Sequence, residues 1–161
     1  MAVTLRPVEA EDELLLFRLY SSARAYELSL VPWSENQKEA FLRHQFTAQQ
    51  VHYKNYYPGA EHTIILSDEQ SVGRLYVARE DDEINILDIT ILPENRGAGL
   101  GTPIIKELMQ EAESQGLPLS IHIENFNPSV RLFERLGFVP KETDGLNILF
   151  EWRPAKSERE L

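Results

Sequence analysis

Hydrophobic and polar positions along this chain follow two periods, and the changes between them mark out its elements. Residues 3–8 read as a strand. Residues 10–29 take helical spacing, with Leu14, Leu15, Phe17, Leu19 and Tyr20 forming the expected apolar stripe. Pro32 interrupts, and Ser34 with Gln37 gives the S-x-x-Q capping signature of a second helix reaching roughly 52–56, where Pro58-Gly59 closes it. Two β-rich runs, 62–66 and 72–80, flank a turn at 67–71. The run at 84–92, INILDITIL, is apolar on both faces except at Asn85, Asp88 and Thr90, so it belongs in the centre of a sheet.

The second half switches period. A helix is expected over 99–115, stopped by Gly116 and Pro118. Strand 119–124 comes next, then a helix with Asn127 as N-cap, Pro128 at its first position and Gly137 just past its end. FVPKE and NILFEW close the chain as strands. The predicted order is β-α-α-β-β-β-α-β-α-β-β, an α+β fold with a mixed sheet carrying helices on both sides. Residues 1–154 read as a single domain and 155–161 as a polar, frayed tail.

Composition narrows the chemistry. With 161 residues, the chain can bury about 70% of the surface its unfolded form exposes. The absence of cysteine excludes disulfides, thiolate nucleophiles and Cys-ligated zinc, and no metal site is expected. A net charge of −10 argues against a nucleic-acid partner and is compatible with steering of a cationic amine. No apolar run is long enough to span a bilayer, and the N-terminus lacks the pattern of a secretion signal. A cytoplasmic protein is expected.

The stretch ILDITILPENRGAGLGT carries the strongest chemical signal. A central strand runs through Pro93 into Arg96-Gly97-Ala98-Gly99-Leu100-Gly101-Thr102 and then a helix. Glycines let main-chain N–H groups approach an anion without Cβ obstruction, and the helix start adds free donors and a positive dipole end. Pro103 confines the donors to about 97–102, a construction that suits a pyrophosphate. A P-loop would need a lysine that is missing here. The G-x-G-x-G spacing is also wrong for a dinucleotide fingerprint.

The spacing R-x-x-G-x-G at Arg96–Gly101, joined to NPSVRLFERLGF at 127–138, resembles the GNAT superfamily of N-acetyltransferases, and the element order fits that fold over nearly the whole chain. The resemblance implies acetyl-CoA as co-substrate. It implies splayed central strands, with the backbone of Ile89, Thr90 and Ile91 pairing with the pantetheine arm. Arg96, Gly97, Ala98, Gly99, Leu100, Gly101 and Thr102 would hold the pyrophosphate, and Asn127 would bond the coenzyme. Asn127 also reads as a plain helix cap, and both readings stand. Where the family usually has a tyrosine that protonates the departing thiolate, this chain has Phe133. Asp88, His122 and Glu124 are the candidates for a general base, Asp88 because burial in an apolar strand would raise its pKa. Direct attack by a primary amine is expected, with the main-chain N–H near Ile91 stabilising the oxyanion. A non-catalytic acyl-CoA-binding or regulatory module is the alternative. The acceptor, a small molecule or a peptide, stays open among amino acids, polyamines, aminoglycosides and protein N-termini. A homodimer is possible through the last strands.

Overall fold

The computed structural model describes residues 2–155, so all of the expected tail except Ala155 lies outside the described residues. The elements follow the predicted order: β1 (Val3–Pro7), α1 (Glu13–Ser29), α2 (Glu35–Tyr56), β2 (Glu61–Ser67), β3 (Gln70–Arg79), β4 (Ile84–Ile91), α3 (Gly101–Gln115), β5 (Leu119–Glu124), α4 (Val130–Arg135), β6 (Val139–Asp144) and β7 (Asn147–Trp152). The seven strands form one mixed sheet in the order β1-β2-β3-β4-β5-β7-β6, and β4 takes the central place its two-sided apolar sequence requires. The backbone divides into two compact units, one of residues 2–76 with 89–98, the other of 77–88 with the chain from 99 onward.

In the first unit the capping box at Ser34 forms as expected. The Ser34 hydroxyl accepts from the Gln37 amide, and the Gln37 side chain accepts from the Ser34 amide. The β2–β3 hairpin turns on Asp68 and Glu69, at φ +48° and +71°, the left-handed pair that matches strand twist in a two-residue loop. The apolar stripe of α1 differs from the expectation. Leu16, Phe17, Leu19, Tyr20 and Leu28 are buried, whereas Leu14 is 75% exposed. Residues 10–12, expected within this helix, form a separate 3-10 turn before it. Phe17 and Tyr20 each bring their rings within 5.6 Å of Phe46, joining α1 to α2 over Ile64. Buried Asp12 accepts from both terminal guanidinium nitrogens of Arg6 at 2.8 Å. That pairing outweighs desolvation and holds its carboxyl below the usual range.

In the second unit β4 and β5 run parallel, as the α3 crossover demands. Their registered pairs are Ile84↔Leu119, Asn85↔Ser120 and Ile86↔Ile121, while β4 runs on to Ile91 and β5 to Glu124. β7 inserts between β5 and β6, pairing antiparallel with both. Ile84, Ile86, Leu119, Ile121, Phe133 and Phe150 are essentially solvent-free. α3 starts two residues later than expected and ends on Gly116 at φ +67°, where the Leu117 amide returns to the Ala112 carbonyl.

Candidate active site

The strand-to-helix connection after β4 is built to stand open. Leu92 is buried and donates to the Val72 carbonyl at 2.8 Å, which ties the exit of the strand to β3. Pro93 then opens a 3-10 turn in which the amides of Asn95 and Arg96 return to Leu92 and Pro93. Gly97 and Gly99 come next at φ +80° and +75°, a region costly for residues with a Cβ. A Cβ built at either would meet nothing within 4 Å, so the space before them is unfilled. Among the described residues, no acceptor of the chain takes the amide hydrogens of Gly97, Ala98, Gly99 or Leu100. Leu100 is buried and anchors the far end, while Thr102 sits half-buried in the first turn of α3. Open left-handed glycines and uncommitted amides are what a diphosphate would need, so the residues present fit a coenzyme.

The Arg96 side chain turns back onto the loop and α1. Its Nε donates to the Ile91 carbonyl at 2.9 Å and a terminal nitrogen reaches the Ser22 hydroxyl at 3.4 Å. Arg18 of α1 pairs with Glu94 in the same turn. These bonds brace the loop from α1. Ile89, Thr90 and Ile91 are half-buried at the end of β4.

The base candidates are less uniform than their sequence suggests. Asp88 is half-buried, short of the enclosure expected for it. His122 is exposed between buried Ile121 and Ile123. Glu124 accepts from the Asn127 side-chain amide at 3.4 Å, so these two candidates do meet. The Asn127 side-chain oxygen in turn accepts from the Ser129 amide at 2.9 Å and its hydroxyl at 2.8 Å. As a result the helix begins later than expected, with Ser129 as N-cap of α4 and Asn127 stabilising the turn before it. Glu83 escaped the sequence reading. Burial pushes its carboxyl above the usual range, Asp82 adds to the rise, and a hydrogen bond from Ser120 opposes it. In the sequence it looks like one more member of an acidic turn.

Phe133 is fully buried, its ring edge-on to Phe138 at 5.0 Å. It has no hydroxyl to offer and serves as core. The aromatics of the α1–α2 region divide in two. Tyr20 and Phe46 are core, whereas Trp33 and Phe41 form a largely exposed edge-on pair at 5.2 Å. Tyr53 meets Tyr76 at 5.0 Å, and Tyr76 stacks on His62 at 4.1 Å. Among the described residues no helix is long and apolar enough to cross a membrane, and no group of three or more His, Asp or Glu is placed to hold a metal ion.

Comparison with known proteins bears on this geometry. Residues 2–139 match the family model of the acetyltransferase (GNAT) domain. No curated protein matches the chain. Among solved structures, PaiA N-acetyltransferase from Thermoplasma acidophilum, in complex with coenzyme A, is similar at a TM-score of 0.72 and 15% identity, covering 95% of this chain and 99% of that one. The ribosomal-protein-S18-alanine N-acetyltransferase from Escherichia coli reaches 0.65 at 19% identity, over 99% of both chains. A GNAT family acetyltransferase from Elizabethkingia anophelis with acetyl-CoA bound reaches 0.61 at 14% identity, over 94% of this chain and 97% of that one. At such identities the structural likeness speaks for the fold, and the domain match speaks for the family. The chain belongs to the GNAT family and is an acetyl-CoA-dependent N-acetyltransferase.

Proposed function

We propose that this protein transfers the acetyl group of acetyl-CoA directly to a primary amine, with residues 1–154 acting as one catalytic domain. The observation that carries the reading is the loop at 96–102, where among the described residues no acceptor takes the amides of Gly97–Leu100 and Gly97 and Gly99 face open space. These amides and the first turn of α3 would hold the pyrophosphate. The coenzyme bound by two of the similar structures supports the same reading. Acetyl-CoA is an intracellular donor, which supports a cytoplasmic setting.

In the proposed step the neutral amine nitrogen attacks the thioester carbonyl carbon. The main-chain N–H of Ile91 receives the developing oxyanion, and the C–S bond then breaks to release the thiolate. The amine proton passes to water or to a carboxylate, for which Glu124 and Asp88 are the candidates. Phe133 cannot protonate the leaving group, so the proton comes from water. A thiol with a pKa near 8–9 tolerates this, at a rate below that of a site with a placed acid, since such an acid typically contributes about 10²–10⁴-fold.

The test has two stages. Acetyl-CoA should raise the melting temperature clearly while ATP and NAD leave it unchanged; the reverse pattern would overturn the coenzyme assignment. Thiol release from acetyl-CoA should then depend on added amine across a panel of amino acids, polyamines, aminoglycosides and peptide N-termini. Release no faster than hydrolysis with every amine would overturn the transfer reading while leaving coenzyme binding intact.

A further inference from the structure

Helix α1 meets the coenzyme loop along one stripe. Arg18 pairs with Glu94, and one turn later the Ser22 hydroxyl accepts from Arg96, whose Nε also holds the Ile91 carbonyl. A single guanidinium therefore spans the gap between Ser22 and the end of β4, where the amine is proposed to attack. Positions four apart are neighbours on a helix, each about 40° further round the axis and about 6 Å further along it. The stripe begun by Arg18 and Ser22 continues as Tyr26 and Leu30. Leu30 keeps helical backbone angles at the C-cap, so the spacing holds to the end of α1.

Past the loop this stripe changes character. Arg18 and Ser22 are engaged with the loop, whereas Tyr26 is 61% and Leu30 69% exposed. Three residues on, Trp33 sets its ring edge-on to Phe41 of α2, and both rings are largely exposed. Single exposed apolar side chains are common on any surface. Here Tyr26 and Leu30 follow directly on two residues that brace the site, and so extend it with an apolar wall.

Charge in the same stretch runs against that of the chain. Over residues 18–33 and 91–98 the charged groups are Arg18, Arg24 and Arg96 against Glu27 and Glu94, three positive to two negative, where the whole chain carries −10. Both carboxylates are paired, Glu94 with Arg18 and Glu27 with Arg24. A polyamine or an aminoglycoside, with several ammonium groups, finds no surplus of negative charge here. An extended peptide would need open main-chain groups to pair with, and the amides in the body of a helix are spent within it.

We infer that the acceptor is a small monoamine whose nitrogen is carried on an aryl or branched alkyl body, which lies along Tyr26 and Leu30. This rests on the proposed transfer at the end of β4. The axial reach from Ser22 to these two side chains, about 6 and 12 Å, suits a body of that size rather than a bare amine.

The test compares 2-phenylethylamine with methylamine, spermidine, kanamycin and a leucyl-glycyl-glycine peptide at saturating acetyl-CoA. In wild type, kcat/KM for 2-phenylethylamine should exceed that for each of the others by at least about tenfold. In Tyr26→Ser/Leu30→Ser it should fall about tenfold further than kcat/KM for methylamine does, the low end of what covering such side chains is worth, with KM for acetyl-CoA changed less than about threefold. Both side chains are exposed, so the melting temperature should stay near wild type. A preference for spermidine, kanamycin or the peptide overturns the inference, as does a parallel fall for both monoamines, while leaving acetyl transfer intact. Thiol release no faster than hydrolysis with every amine is a different result, which overturns the transfer reading and the inference with it.

Discussion

Two strand-to-helix connections, one after β4 and one after β5, solve the same chain-reversal problem in opposite ways. The first turns on Gly97 and Gly99 and leaves four successive amides, 97–100, without an acceptor among the described residues. The second turns on Asn127, whose side chain consumes the Ser129 amide and hydroxyl and donates to Glu124, while the Asn125 and Asn127 amides go to Leu146 and Glu124 carbonyls. One connection is satisfied by its own side chain, and the other leaves its donors open among the described residues. Uncommitted main-chain donors are costly unless solvent or a ligand meets them, so a run of them on exposed glycines signals binding where a self-capped turn does not. The Asn127 side chain is engaged within the chain, whereas the glycine loop's amides are not engaged among the described residues.

The comparison can be broken first at the loop. Gly99→Val places a branched side chain at φ +75° and fills the open space. Losing two amide bonds to a charged group would cost about 3 kcal/mol, roughly a hundredfold in affinity. Calorimetric titration with acetyl-CoA should show that loss, and unchanged affinity would remove the loop from the site. The next effect is expected at Phe133, in the helix after the second connection. Phe133→Tyr buries a hydroxyl where no solvent reaches. An unsatisfied buried donor costs about 1–3 kcal/mol, and melting should fall by roughly 2–4 °C per kcal/mol with no gain in turnover. A clear rise in kcat would instead show that the ring edge reaches the leaving thiolate. The smallest effect belongs to Asn127→Ala. It should cost about 1 kcal/mol of stability through the lost turn bonds and change KM for acetyl-CoA less than about threefold. A tenfold rise in KM would make the second connection a binding element after all and erase the contrast.

The features legible in the sequence and those that were not separate along a physical line. The element order, the Ser34 cap, the Gly116 and Gly137 helix endings, the hairpin at 68–69 and the glycine loop all depend on residues a few positions apart, where backbone conformational preference acts directly. The central place of β4 was equally legible, since a strand apolar on both faces has only one kind of place in a sheet. Side-chain environment was not. Asp88 is only half enclosed, His122 is exposed, Leu14 faces solvent, and Glu83, inconspicuous in an acidic turn, is the carboxyl that burial perturbs. The need for glycine at 73 was invisible for the same reason. It comes from the Thr90 carbonyl, seventeen residues away in the chain, which a Cβ at 73 would meet at 2.4 Å once the strands pair. Local sequence determines which conformations a segment prefers, but the atoms that fill the space beside each group belong to distant segments, and only folding brings those together.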